Sequence, residues 1–212
     1  MMRREVFMVE GPEKHVLFRQ AAAVAAAPGS AFQAYQQQLF LAIAYYSAGE
    51  PLDVVRQATA QAVALLAASP EQSQIPVLDP EHYYTALWGL SLSMLFGDAS
   101  PVFEQRFGGQ DSLLDRLLQL TGSSLEPSTI CLHPKPYTQL LAVLDHPADA
   151  ADAIQTFLIT WYAGMGQTRW HDTHLRSDPA FFGYWSFELA AVVKALSIND
   201  ATFGENIFYP RD

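Results

Sequence analysis

The chain is poor in cysteine, in basic side chains and in long apolar runs, and each shortage removes a class of protein. Its one cysteine, Cys131, rules out an intramolecular disulfide and a cysteine-rich zinc site. A lone cysteine in apolar surroundings is expected to be a small core filler. Twelve Lys and Arg stand against 22 Asp and Glu, a formal net charge of −10, so the basic footprint of a nucleic-acid binder is missing. The acidity is not confined to a tail: residues 1–110 carry six basic and ten acidic side chains, and residues 111–212 carry six and twelve. The longest greasy stretch, Tyr83 to Gly97, falls short of the ~20 apolar residues of a membrane span and contains Thr85, Ser91 and Ser93. Arg3 and Arg4 are followed by Glu5, Glu10 and Glu13 rather than by the apolar region of a signal peptide, which makes a cytoplasmic protein the expectation. There is no phosphate loop, no Gly-x-Gly-x-x-Gly and no Gly-x-Ser-x-Gly elbow.

What is present is core. Half of the 212 residues are apolar and 12% are aromatic, enough to bury a sizeable interior and to exclude a disordered chain. Apolar residues recur at three- and four-residue spacing nearly everywhere, and no alternating pattern marks a strand. Helices are expected at Pro12–Ala27, at Ala31–Ala48 behind an N-cap at Ser30, and from Pro51 with Leu52, Val55, Thr59, Val63 and Leu66 as its stripe. Glu81–Phe96 is apolar nearly all round, the mark of a central buried helix. Further helices are expected at Pro101–Phe107, Asp111–Leu120, Tyr137–Leu144, Pro147–Gly164 and Gly183–Leu196. Their lengths are uneven and no ~34-residue period repeats, so a tetratricopeptide array is a poor fit. The expected fold is all-α, an irregular multi-helix bundle of antiparallel helices. Its expected organisation is an amino-terminal helical region, 1–78, and a domain over 79–212, packed as one globular unit.

The last fifty residues carry a recognisable string. It runs Gly183-Tyr184-Trp185-Ser186-Phe187-Glu188-Leu189-Ala190-Ala191-Val192-Val193-Lys194, then Ile198-Asn199-Asp200, and closes with Phe208-Tyr209-Pro210. This resembles the carboxyl-terminal domain of the PoNi-like immunity proteins, the DUF1911 family. Phe208 stands where that family commonly has a tyrosine. Upstream, Tyr83 to Leu92, with its Leu90-Ser91-Leu92 core, is similar to the helix that precedes this domain. The resemblance implies an antidote and not an enzyme. It implies a cytoplasmic immunity protein that binds a polymorphic toxin, often delivered by a type VI secretion system. The toxin would be a nuclease of the restriction-endonuclease-like fold, with no nucleic acid, membrane or cofactor as the immunity protein's own partner.

Within the motif, Tyr184, Trp185, Phe187, Glu188, Ala190, Ala191, Lys194, Tyr209 and Pro210 are expected to hold the fold rather than to face the toxin. Glu188 is a carboxylate on an otherwise apolar helix, which demands a partner. The candidate toxin-facing residues are acids and exposed aromatics. Asp145, Asp149 and Asp152 cluster around the helix start at Pro147, where stabilisation of the helix dipole is their ordinary role. Asp172 and Asp178 flank an aromatic loop of Trp170, Phe181 and Phe182, the composition of an interface hot spot. Asp111 and Asp115 are expected to form a merely solvated face. A −10 protein is complementary to the basic surface of a nuclease, and charge would speed encounter. Two other readings stand beside this one. One is a helical scaffold or adaptor for a different protein. The other is a hydrolase or metal enzyme around His171, Asp172 and His174, for which further ligands are not evident. Self-association into a homodimer stays open.

Overall fold

A computed structural model describes residues 30–68, 74–98, 101–175 and 183–210 of the chain. The expected helix at Pro12–Ala27 lies outside these residues. Among the described residues there are eight α-helices and no strand. They are α1 Ala31–Ser47, α2 Leu52–Ala68, α3 Pro80–Phe96, α4 Val102–Phe107, α5 Ser112–Leu120, α6 Pro134–Asp145, α7 Ala150–Gly164 and α8 Phe187–Ala195. Short 3-10 turns sit at Pro147–Asp149 and Thr173–Leu175. The all-α expectation holds. The chain divides into two compact units, residues 1–72 with 172–184 and residues 73–171 with 185–212.

The described helices of the first unit are the hairpin of α1 and α2. Ser30 caps α1 with a full capping box: its Oγ accepts from the Gln33 N–H at 3.2 Å, and its own N–H donates to Gln33 Oε1 at 3.0 Å. The expected stripe of Tyr35, Leu39, Ile43 and Tyr46 is buried. The stripe expected on α2 is corrected. Val55, Thr59 and Leu66 are buried, but Leu52 is 39% exposed, and the seam runs instead through Ala58 and Ala62. Alanine lets the two backbones approach, and Gln38 of α1 reaches across to donate to Gln61 Oε1 at 3.0 Å.

The second unit is built around α3. Asp79 caps it by accepting from the Glu81 and His82 N–H groups, and Gly97, at φ 72°, ends it in the left-handed conformation. Every residue from Tyr83 to Ser93 is buried. Two hydroxyls in this run return their hydrogen bonds to the helix itself, Thr85 to the Glu81 carbonyl and Ser91 to the Leu87 carbonyl, which offsets the cost of burying them. α8 lies on α3, α6 pairs with α7, and α5 contacts α3, α4 and α6. Rings from α3 (Tyr83, Tyr84, Trp88), α6 (Tyr137) and α7 (Phe157, Trp161) meet in the core.

Three expected boundaries move. α6 begins at Pro134 with a kink at Lys135, which has φ −104° and ψ 117°. Pro147 opens a 3-10 turn, and α7 proper starts at Ala150. The last helix begins at Phe187 and not at Gly183, because Gly183 sits at φ 105° and Ser186 instead donates its N–H to the Phe208 carbonyl at 2.8 Å. Cys131, expected as a core filler, is only half-buried.

Gly164 sets how closely α7 approaches α6. A β-carbon there would lie 2.9 Å from Pro136 Cδ and 3.1 Å from Pro136 N. Proline is rigid and cannot swing aside. Gly164→Ala should therefore cost about 2 kcal/mol through overpacking, a fall in Tm of roughly 4–8 °C for a chain of this size. Differential scanning calorimetry reads it, and an unchanged Tm would mean that the helices separate without cost.

Candidate functional site

The acids around Pro147 stand at the surface. Asp145 ends α6 and accepts from the Arg116 guanidinium of α5 at 2.8 Å, an exposed pair. Such a pair contributes little to stability. Asp149 sits at the N-cap position of α7 without making a side-chain capping bond. It is exposed, as is Asp152 one turn on. Both carboxylates therefore face solvent near the positive end of a helix dipole.

The outer face of α7 continues this surface. Its inner face is Ile154, Phe157, Leu158 and Trp161, all buried. Its outward residues are Asp152, Gln155, Thr156, Thr160 and Ala163, and among them Ile159 is 78% exposed. Tyr162, one turn beyond Ile159, is partly exposed and holds two other rings. His171 stacks on it at 4.3 Å between centroids, and Phe208 lies parallel to it at 5.3 Å and 4°. Ile207 beside Phe208 is 43% exposed. The amino-acid order alone does not single out Ile159, Tyr162 or Ile207 as interface candidates, although a helical-wheel count sets Ile159 apart from the buried stripe.

Of the aromatic loop, only Trp170 lies among the described residues, and it is not the exposed ring expected. Trp170 is 4% exposed and belongs to the core, with ring centroids 5.1 Å from Trp88, 6.0 Å from Trp161 and 6.4 Å from Tyr84. An indole beyond the end of a helix can fold back onto it, which linear spacing does not reveal. Asp172 is half-buried and takes φ 58°, a conformation that aspartate tolerates better than most residues. Asp178, Phe181 and Phe182 lie outside the described residues, as does the side chain of His174. Among the described residues no three His, Cys, Asp or Glu side chains gather to hold a metal ion.

Asp111 and Asp115 are also corrected: they are buried, not solvated. Asp111 Oδ1 caps α5 by accepting from the Leu113 and Leu114 N–H groups at 2.9 and 3.1 Å, and it also receives the Tyr83 hydroxyl at 3.2 Å. Its Oδ2 accepts from the Leu132 N–H at 2.8 Å. Asp115 accepts from the N–H groups of Gly109 and Ser128, each at 2.8 Å. Burial pushes its carboxyl pKa up, and those two N–H donors oppose the rise. The pair pins the irregular 122–133 connection to α5. Carboxylates saturated by backbone donors inside a fold can be structural rather than solvated.

Most of the family motif lies in the core. Tyr184, Trp185, Phe187, Glu188, Ala190, Ala191, Tyr209 and Pro210 are all buried. The Lys194 stem reaches back so that its ammonium donates to the Leu95 carbonyl near the end of α3. Glu188 Oε1 receives the Trp161 indole N–H at 2.5 Å and the Tyr137 hydroxyl at 3.2 Å. Burial pushes its pKa up to about 7, against the lowering effect of these donors, of its own backbone N–H and of Ser186. Glu188 thus ties α8 to α6 and α7 from inside. No helix among the described residues is long and apolar enough to cross a membrane.

Comparison with known proteins agrees with the motif. A solved structure, that of protein PA2201 from Pseudomonas aeruginosa, matches with a TM-score of 0.67 at 20% identity, over 98% of this chain and 77% of that one. At that identity the likeness speaks for the fold alone. No curated protein matches. The model of the PoNe immunity protein amino-terminal region matches residues 20–105, and that of the carboxyl-terminal region matches residues 109–212. The chain therefore belongs to the PoNe immunity proteins, PoNi, and by that membership is an immunity protein against a nuclease toxin.

Proposed function

We propose that this protein neutralises its toxin by direct binding, capturing a nuclease in the cytoplasm and covering the surface with which it would engage DNA. The toxin would be a type VI secretion effector of the restriction-endonuclease-like fold, and the immunity protein would contribute no chemistry. The observation that carries the reading is the exposed acidic start of α7, Asp149 and Asp152, on a chain of net charge −10. A nuclease must present cations to phosphates, and carboxylates set on a rigid helix mimic those phosphates. The long-range field also raises the rate of encounter, which matters for an antidote that must act before DNA is cut.

Reversing both aspartates, Asp149→Lys with Asp152→Lys, should slow association with the nuclease domain about tenfold at low ionic strength. The difference should shrink at physiological salt, where the screening length is ~8 Å. Asp53 and Glu126, both exposed, supply a charge-matched control when changed to lysine. Stopped-flow association at two salt concentrations checks it. If the control slows binding as much as the test pair, steering belongs to net charge and not to α7.

A further inference from the structure

Beyond the acids, and resting on the toxin-binding reading above, we infer that the carboxyl-terminal half of the α7 outer face is the apolar anchor of the toxin interface, with Ile159 at its centre. A singly exposed isoleucine needs no explanation. Ile159 is not single: Tyr162 lies one turn away on the same side of the helix, and Ile207 and Phe208 extend the apolar surface from the carboxyl-terminal tail. The three rings of His171, Tyr162 and Phe208 are stacked on one another, so they are already ordered. Side chains held by their neighbours lose little freedom when a partner covers them, which is what a binding hot spot requires.

The occupant is the nuclease toxin, and the charge pattern argues for it. Asp152 lies two turns from Ile159, ~10 Å along the helix axis. One contact of ordinary size, ~800 Å² on each partner, covers both. The acidic end meets the cationic rim of a DNA-binding surface, while Ile159 and the edge of the ring stack enter an apolar recess beside it. The two ends then act on different rates. The acids govern association and its salt dependence, and the isoleucine governs dissociation and is indifferent to salt.

The test uses the full chain and the purified, catalytically inactivated nuclease domain of its toxin, with affinities and rates from surface plasmon resonance. Ile159→Asp should weaken binding about a hundredfold, almost entirely through faster dissociation. Ile159→Asn, which adds no charge, should lose the same factor at low and high salt. Ile130→Asp, at a residue of the same unit that is 58% exposed, should leave the affinity unchanged. Hydroxyl-radical footprinting of the unsubstituted protein needs no variant to fold: on complex formation Ile159 and Tyr162 should become protected while Ile130 does not. If the wild-type chain does not bind the nuclease at all, the toxin-binding reading fails. If it binds while Ile159→Asp binds equally well and Ile159 stays reactive, that reading stands and the anchor is overturned. Light scattering that shows Ile159→Asp turning a dimer into a monomer, with toxin affinity unchanged, would reassign the face to a second copy of this chain and overturn the proposal as well.

Discussion

Replacing Asp111 by alanine should remove about 4–5 kcal/mol of stability, a large part of the ~5–15 kcal/mol that holds a typical domain together. One carboxylate serves four donors. Two are the first free amides of α5, one is the Leu132 amide at the far end of the 122–133 connection, and one is the Tyr83 hydroxyl on the central helix. Loss of a helix cap costs ~1 kcal/mol, and each buried donor left without an acceptor costs ~1–3 kcal/mol. Asp111→Asn keeps the capping oxygen and forfeits the second acceptor, so its cost should be less than half as large. Asp152→Ala, at an exposed position, should stay within ~1 kcal/mol of the parent. Urea unfolding followed by circular dichroism compares the three. A loss below ~1 kcal/mol for Asp111→Ala would mean that water replaces the carboxylate and that the staple is dispensable.

Stability should also fall as pH rises from about 4.5 to about 7, with Glu188 as the main source. The folded protein holds the Glu188 proton more tightly than the unfolded chain does, because burial moves its pKa from 4.5 to about 7. Protons bound in the folded state and released on unfolding make the slope of stability with pH negative over this window. The contribution is complete below pH 4.5 and is lost as pH climbs through 7. Each tenfold difference in proton affinity between the two states is worth ~1.4 kcal/mol, so the loss amounts to about 3 kcal/mol. Glu188→Gln keeps the shape and an acceptor for Trp161 and Tyr137 but cannot ionise. Its stability should match the parent near pH 4 and exceed it by about 3 kcal/mol near pH 8. Subtracting the two pH profiles cancels the other titrating groups, including Asp115, whose raised pKa acts in the same direction. Parallel profiles would show that Glu188 is ionised throughout and balanced by its donors.

The chemistry of single positions made much of this protein readable from its residues in order. Ser30 with Gln33 and Asp79 with Pro80 each announce a helix start, because a capping side chain acts on amides two or three residues away. The run from Tyr83 to Ser93 announces a buried helix, because it has no polar side to turn to water. The motif around Trp185 and Glu188 announces the family, and both of these side chains are buried. Misread boundaries had local causes too, such as Gly183 at a positive φ holding the chain extended for one more turn.

Which acids and which aromatics face outward was settled by tertiary structure alone. Asp111 and Asp152 are both aspartates at a helix start, yet one is buried and the other exposed. The difference lies in donors to Asp111 that come from elsewhere in the chain, the Leu132 amide and the Tyr83 hydroxyl, and gather only when the 122–133 connection and the central helix come together at the start of α5. Trp170 lies inside and Ile159 outside for the same kind of reason. Beyond the end of α7 the chain turns back and carries the indole onto Trp88 and Trp161, while Ile159 lies on the side of α7 opposite its buried stripe. Periodicity tells which residues of a helix share a side. Only its neighbours, brought up from distant parts of the chain, determine which side is covered and which is left to meet a partner.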